Sequence, residues 1–129
     1  MDRRHRLAKL LILQQRIKGL HEARHAAGLK QAADAQEEAK TLMESLAAPD
    51  SVSSLFPGLW HERIGRAFAR RDAHQEEARA EMEKVAAASA RADIVKRAHR
   101  TAQQRHERNA EERAVLEIIE RMPKPDGSQ

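Results

Sequence analysis

Leu10, Leu13, Ile17 and Leu20 recur at steps of three and four, the spacing that lines apolar side chains along one stripe of a helix. Ala32, Ala35, Ala39, Leu42 and Leu46 resume the stripe further on. Between the two runs stand Gly19, Arg24, Gly28 and Gln31, so a phase shift is expected there. This is also where the helix should be softest, because glycine costs up to ~1 kcal/mol relative to alanine in a helix. A second series starts at Trp60, Ile64, Ala67 and Phe68 and runs through Ala78, Met82 and Val85. Val95, Ala98 and Ala102 extend it, and Val115, Leu116, Ile118, Ile119 and Met122 close it.

Pro49, Pro57, Pro123 and Pro125 all fall outside the two series. Proline removes a backbone donor and clashes with the preceding turn, so the proline-free stretches predict long, unbroken helices. The boundaries are about 2–48 and about 58–122, with a loop over about 49–57 and a flexible tail over 123–129. Ser53 or Ser54 is the expected N-cap of the return helix, with Pro57 in its first turn.

The expected fold is all-α, a single antiparallel two-helix coiled-coil hairpin whose second helix is the longer. At about 1.5 Å per residue the arms differ by roughly 25 Å, so the first residues meet those near Arg105. The chain from about His106 to Met122 then overhangs and carries five large aliphatic side chains without an intramolecular partner. A bare apolar cluster of that size marks a partner-binding surface, or a helix end that dimerises.

Composition supports a thin coiled coil rather than a compact globule. Charged residues make up 34% of the 129 and aromatics only 2%, too few rings for a thick core. The absence of cysteine excludes disulfides and thiolate metal sites and suits a reducing compartment. The basic start resembles a signal-peptide n-region, but the apolar run Leu10 to Leu13 is too short to follow it. With no stretch approaching a membrane span, the expectation is a soluble, intracellular protein.

The formal net charge is +4, which permits an acidic partner, although acids and bases alternate along most of the length. Arg3, Arg4, Arg6 and Lys9 would stand beside Lys96, Arg97, Arg100 and Arg105 as a basic collar at the open end. Nucleic-acid binding through that collar is one alternative function; the scarcity of aromatics for stacking counts against it.

His21-Glu22-Ala23-Arg24-His25 forms an H-E-x-x-H string on a predicted helix, the spacing that presents two imidazoles to zinc beside a general base. A catalytic zinc also needs a third protein ligand and a cleft, and Gln31 stands where a third histidine would be expected. His21 and His25 facing Glu81 or Glu83 across the hairpin is a geometrically allowed alternative. No nucleophile–base set or phosphate loop is present, so the chain is read as a non-enzyme with no cofactor or metal site.

Trp60, Ile64, Ala67 and Arg71 share one helical face just after the loop, and Phe68 widens it. Such a face plugs the turn or serves as a docking stripe. Together with the basic, cysteine-free two-helix pattern and the run Gln103-Gln104-Arg105-His106-Glu107-Arg108-Asn109-Ala110-Glu111-Glu112-Arg113, it resembles the FliJ/YscO family, stalk proteins of the flagellar and injectisome type III export apparatus.

The resemblance implies a cytoplasmic, non-enzymatic adaptor at the base of a membrane-embedded export apparatus. Its implied partners are a hexameric export ATPase, an export gate membrane protein and export chaperones. Trp60, Ile64 and Ala67, with Phe68 beside them and Arg71 in place of the family's histidine, would face the gate. Arg3, Arg4, Arg6, Val115, Leu116, Ile119 and Met122 would face the ATPase. The competing reading is a general coiled-coil scaffold or homodimerisation module.

Overall fold

The computed structural model describes residues 2–50 and 52–123. Helix α1 runs over Arg3–Ala47 and α2 over Pro57–Arg121, with a 3-10 turn at Val52–Leu55 between them. They pack against each other as an antiparallel pair, and α2 is the longer, with 65 residues against 45. The expected fold class is therefore observed. The expected tail lies mostly outside the described residues, since nothing beyond Pro123 is described.

The helix ends follow local chemistry. The carboxylate of Asp2 accepts a hydrogen bond from the His5 backbone N–H at 3.1 Å, satisfying one of the orphan donors of the first turn. That bond, reinforced by the His5 ring and Arg4, holds the Asp2 carboxyl down at about 2. The start of α2 differs from expectation. Ser53 and Ser54 belong to the 3-10 turn, Phe56 flanks the helix, and Pro57 opens it, where its missing N–H would be unpaired in any case.

The chain divides into two compact units, Met1–Gln14 with Arg91–Gln129, and Gln15–Ala90. The Gln15–Ala90 unit holds most of the core. Gly28, Ala32, Ala35, Ala39 and Leu42 of α1 are buried, as are Ile64, Ala67, Ala78 and Ala88 of α2. These positions alternate at three and four, a heptad seam built mainly from alanine. Such small side chains bring the backbones close. A Cβ placed on Gly28 would stand 3.1 Å from the Ala78 Cβ and 3.3 Å from the His74 carbonyl oxygen. Gly28 is thus a point of tight packing, not the soft spot its residue type suggests.

In the Met1–Gln14 with Arg91–Gln129 unit, Ala92 and Val95 are buried, and Leu7, Leu11, Gln14, His99 and Ala102 are half-buried. The Gln14 Oε1 is enclosed there and has no hydrogen-bond partner among the described residues.

The expected stripe of α1 is corrected in phase. Leu10, Leu13 and Leu20 are exposed, and only Ile17 is half-buried. Stepping the Ala32–Ala35–Ala39 heptad backwards, without any shift, reaches Gly28, His25, His21 and Lys18, and these are the positions turned inward. Polar and small residues occupy the seam from Gln14 to Gly28 while Leu10, Leu13 and Leu20 lie on its flank, and Leu7 and Leu11 return to the seam near the start of the helix. On α2, Met82 is likewise exposed, and Ala88 and Ala92 occupy seam positions that hydrophobicity alone does not single out.

Candidate functional site

Three residue sets stand out, each inside one unit. The first is the H-E-x-x-H string. His21 and His25 occupy successive seam positions, so their rings enter the helix interface rather than share a free face. The His21 Nδ1–H donates to Glu81 Oε2 at 2.6 Å, and the His25 Nδ1–H donates to the Ala78 carbonyl at 2.7 Å. Glu22 points outward and pairs with Lys18 at 3.9 Å. Among the described residues no group of three His, Asp or Glu side chains is placed to hold a metal ion. Of the cross-helix alternatives, Glu81 is the acid that meets His21, and Glu83 pairs with Arg79.

This polar layer makes stability depend on pH. The His21 hydrogen bond, helped by Lys84, holds the Glu81 carboxyl below its ordinary value of 4.5. A carboxylate with a depressed folded pKa contributes stability that is complete above the ordinary value and lost as pH falls through the folded one. Asp2 and Glu76 carry the same sign. The thermal midpoint followed by circular dichroism is therefore expected to drop between about pH 5 and about pH 3, and Glu81→Gln to shrink that drop.

The second set is the face after the loop. Ile64 and Ala67 are buried, with 0% of Ala67 accessible, so they pack within the hairpin and do not form an outward stripe. The physical reason is that the Trp60–Ile64–Ala67–Arg71 spacing coincides with the α2 heptad that meets α1. Trp60, Phe68 and Arg71 remain half-exposed at its edge. The Arg63 guanidinium lies 4.8 Å from the Trp60 ring centre and that of Arg71 4.8 Å from Phe68, cation–π contacts that stiffen this edge. Arg71 also donates to Gln36 Oε1 at 2.9 Å, and Arg70 pairs with Glu38, clamping α2 to α1. The accessible part of the expected stripe is the Trp60–Phe68–Arg71 rim.

The third set is the end of α2. Every described residue from Gln104 to Pro123 is exposed, including Val115, Leu116, Ile118, Ile119 and Met122 at 54–63%. Arg3 and Arg6 are exposed as expected, whereas Arg4 is drawn inward and donates to Gln103 Oε1 at 3.1 Å. Asp2, Arg3 and Arg4 line a groove with Ala98, Thr101, Arg105 and His106, so the start of α1 does lie level with Arg105. The basic collar is only partly assembled. Its charges are interspersed with Asp2 in this groove, and with Glu107 in a second one beside Lys96 and Arg100.

Ile94, the most exposed large aliphatic side chain of the helices at 64%, was not singled out by hydrophobic spacing. Its four-three step to Ala98 and Thr101 is the signal that reveals it. Among the described residues no helix is long and apolar enough to cross a membrane. No protein-family model matches the sequence, and neither curated proteins nor solved structures provide a match to it.

Proposed function

We propose that this chain is a non-enzymatic adaptor of a flagellar-type type III protein export apparatus, joining an export ATPase ring to an export gate from the cytoplasmic side. The observation that carries the reading is the bare apolar end of α2, Val115 to Met122, which begins about 15 Å beyond Arg105, the residue level with the exposed Arg3 at the start of α1. Apolar anchors ringed by charge suit insertion into a protein partner, where the anchors supply affinity and the arginines orientation. In this reading the end of α2 engages the ATPase and biases its subunit arrangement. The Trp60–Phe68–Arg71 rim, with its two cation–π pairs, is left for the gate, and export chaperones are the third class of partner.

The test is removal of Glu117–Gln129. Stimulation of the ATPase by the truncated chain is expected to disappear, while the helical circular dichroism signal per residue and the melting midpoint stay near those of the full chain. Undiminished stimulation would exclude that end as the ATPase contact. The exposed apolar end also favours a second reading, a self-associating coiled-coil scaffold. In that case the full chain leaves ATPase turnover unchanged.

A further inference from the structure

We infer that two copies of this chain pair antiparallel through a second heptad face on the Met1–Gln14 with Arg91–Gln129 unit. The partner at this surface is a second copy, and the inference does not depend on the export reading.

The face is defined by spacing and exposure. Ile94, Ala98, Thr101 and Arg105 of α2 follow each other at steps of four, three and four. Arg108, Glu112, Val115, Ile119 and Met122 prolong the same alternation without a break. This line runs beside the intramolecular seam on the flank where Ala98, Thr101 and Arg105 meet Arg3 of α1 in a common groove. Leu10 stands seven residues after Arg3 and therefore projects to the same flank, as does Leu13 by its three-residue step. Equal steps inward from the Arg4–Gln103 hydrogen bond put Leu13 level with Ile94. One flank of the unit thus presents two apolar patches. Leu10, Leu13 and Ile94 form the inner one, and Val115, Ile118, Ile119 and Met122 the outer one, all exposed.

Between the patches the line is charged, and its charges favour an antiparallel pair, while the match of Ile94 to Met122 sets the register. In an antiparallel pair centred on Arg108, Ile94 faces Met122 of the second copy, Ala98 faces its Ile119 and Thr101 its Val115. Arg105 then faces Glu112, and symmetry repeats each contact. Arg108 meets only its own symmetry mate, with Glu111 and Glu112 of both copies around it. Over a longer range, Lys96, Arg97, Arg100 and Arg105 come opposite Glu111, Glu112, Glu117 and Glu120 of the second copy. A half-step shift one way sets Arg105 against Arg108 twice and loses both Arg–Glu contacts, so like charges oppose it. The shift the other way pairs Arg108 with Glu112 twice but leaves Ile94 beyond Met122 with no apolar partner.

The patches on two copies remove on the order of 1,000 Å² from water, close to the ~1,200 Å² lower bound of specific interfaces. The dimer is accordingly weak and concentration-dependent, and it covers the same apolar end that a protein partner would use.

Sedimentation of the full chain over about 1 µM to about 1 mM tests the pairing. The mass is expected to rise toward twice the 14.6 kDa of one chain. Ile94→Glu and Ile119→Glu, both at exposed sites that spare the core, should each hold the chain at single mass. Arg105→Glu should weaken association by about 10-fold or more, and adding Glu112→Arg should restore it to within about 3-fold. A wild-type chain that stays single throughout overturns the inference. So does a dimer that survives Ile94→Glu and is lost with Ile119→Glu, since that pattern means tip-to-tip pairing, and so does a charge swap that fails to restore. Ile94→Glu leaves Val115 to Met122 intact, so lost self-association with retained ATPase stimulation separates this interface from the adaptor role.

Discussion

Gly28→Leu is expected to lower the stability of the hairpin by about 3 kcal/mol, and Gly19→Ala to raise it by up to ~1 kcal/mol. Both glycines sit inside α1, and sequence context treats them alike. Gly28, however, is buried on the seam, where an added Cβ meets the Ala78 Cβ at 3.1 Å and backbone atoms of His74 and Ala78 at 3.3 and 3.4 Å. Backbone cannot rotate away as the end of a long side chain can, so α2 itself has to move. That movement opens the neighbouring Ala32 and Ala35 contacts and strains the His25 to Ala78 hydrogen bond. Even Gly28→Ala should gain nothing from its better helix propensity, because overpacking offsets it. Nothing stands within 4 Å of a Cβ on Gly19, so alanine there only restricts the unfolded chain and favours the helix. Paired chemical-denaturation curves measure both effects, and a neutral Gly28→Leu would mean that the helices are not in close contact at that point.

Ala67→Asp should be the more damaging substitution, costing about 3–5 kcal/mol, a large share of the roughly 5–15 kcal/mol that holds a small domain together. Ala67 has no accessible surface and lies one heptad step from Ile64. An aspartate carboxylate is too short to reach water from the centre of a seam, whereas a lysine could extend its stem along the surface. Among the described residues no cation is committed to this position. Arg70 is engaged with Glu38, and Arg71 with Gln36 and Asp72. The expected readout is loss of helical circular dichroism at a much lower urea concentration, beginning in the Gln15–Ala90 unit. Gly65→Ala, two residues away with open space around the added methyl, is the control and should be neutral or mildly stabilising.

The comparison of these sites shows why hydrophobic spacing located the helices but not their facing sides. For Ile64, Ala67, Ala78 and Val95 the apolar series and the buried series coincide. For α1 before Gly28 they separate. A search for the most apolar stripe selects Leu10, Leu13 and Leu20, yet the packed line carries Gln14, Lys18, His21 and His25. The two histidines are accommodated because α2 offers Glu81 and the Ala78 carbonyl at matching heights, whereas Lys18 turns to Glu22 of its own helix and Gln14 Oε1 has no partner among the described residues. The identity of such cross-helix partners depends on the stagger of the two helices, which no single-helix pattern specifies. The same stagger buries Ile64 and Ala67 of the expected gate-facing stripe while leaving Trp60, Phe68 and Arg71 at the edge. The exposed end of α2 was legible in advance, because it follows from helix lengths alone.

Proline placement and residue propensity were enough to determine two long helices, their limits to within a residue or two, and the excess length of the second. These depend on the backbone within each segment. Which side chains turn inward was decided by the pairing of the helices. Alanine and glycine make a close approach favourable from Gly28 to Leu42, that approach sets one continuous heptad, and the heptad carries His21 and His25 inward and Leu10, Leu13 and Leu20 outward beyond it. Close contact between backbones outweighed the transfer of Leu10, Leu13 and Leu20 from water, so the interface follows the line set by the small residues and those three leucines remain on the surface.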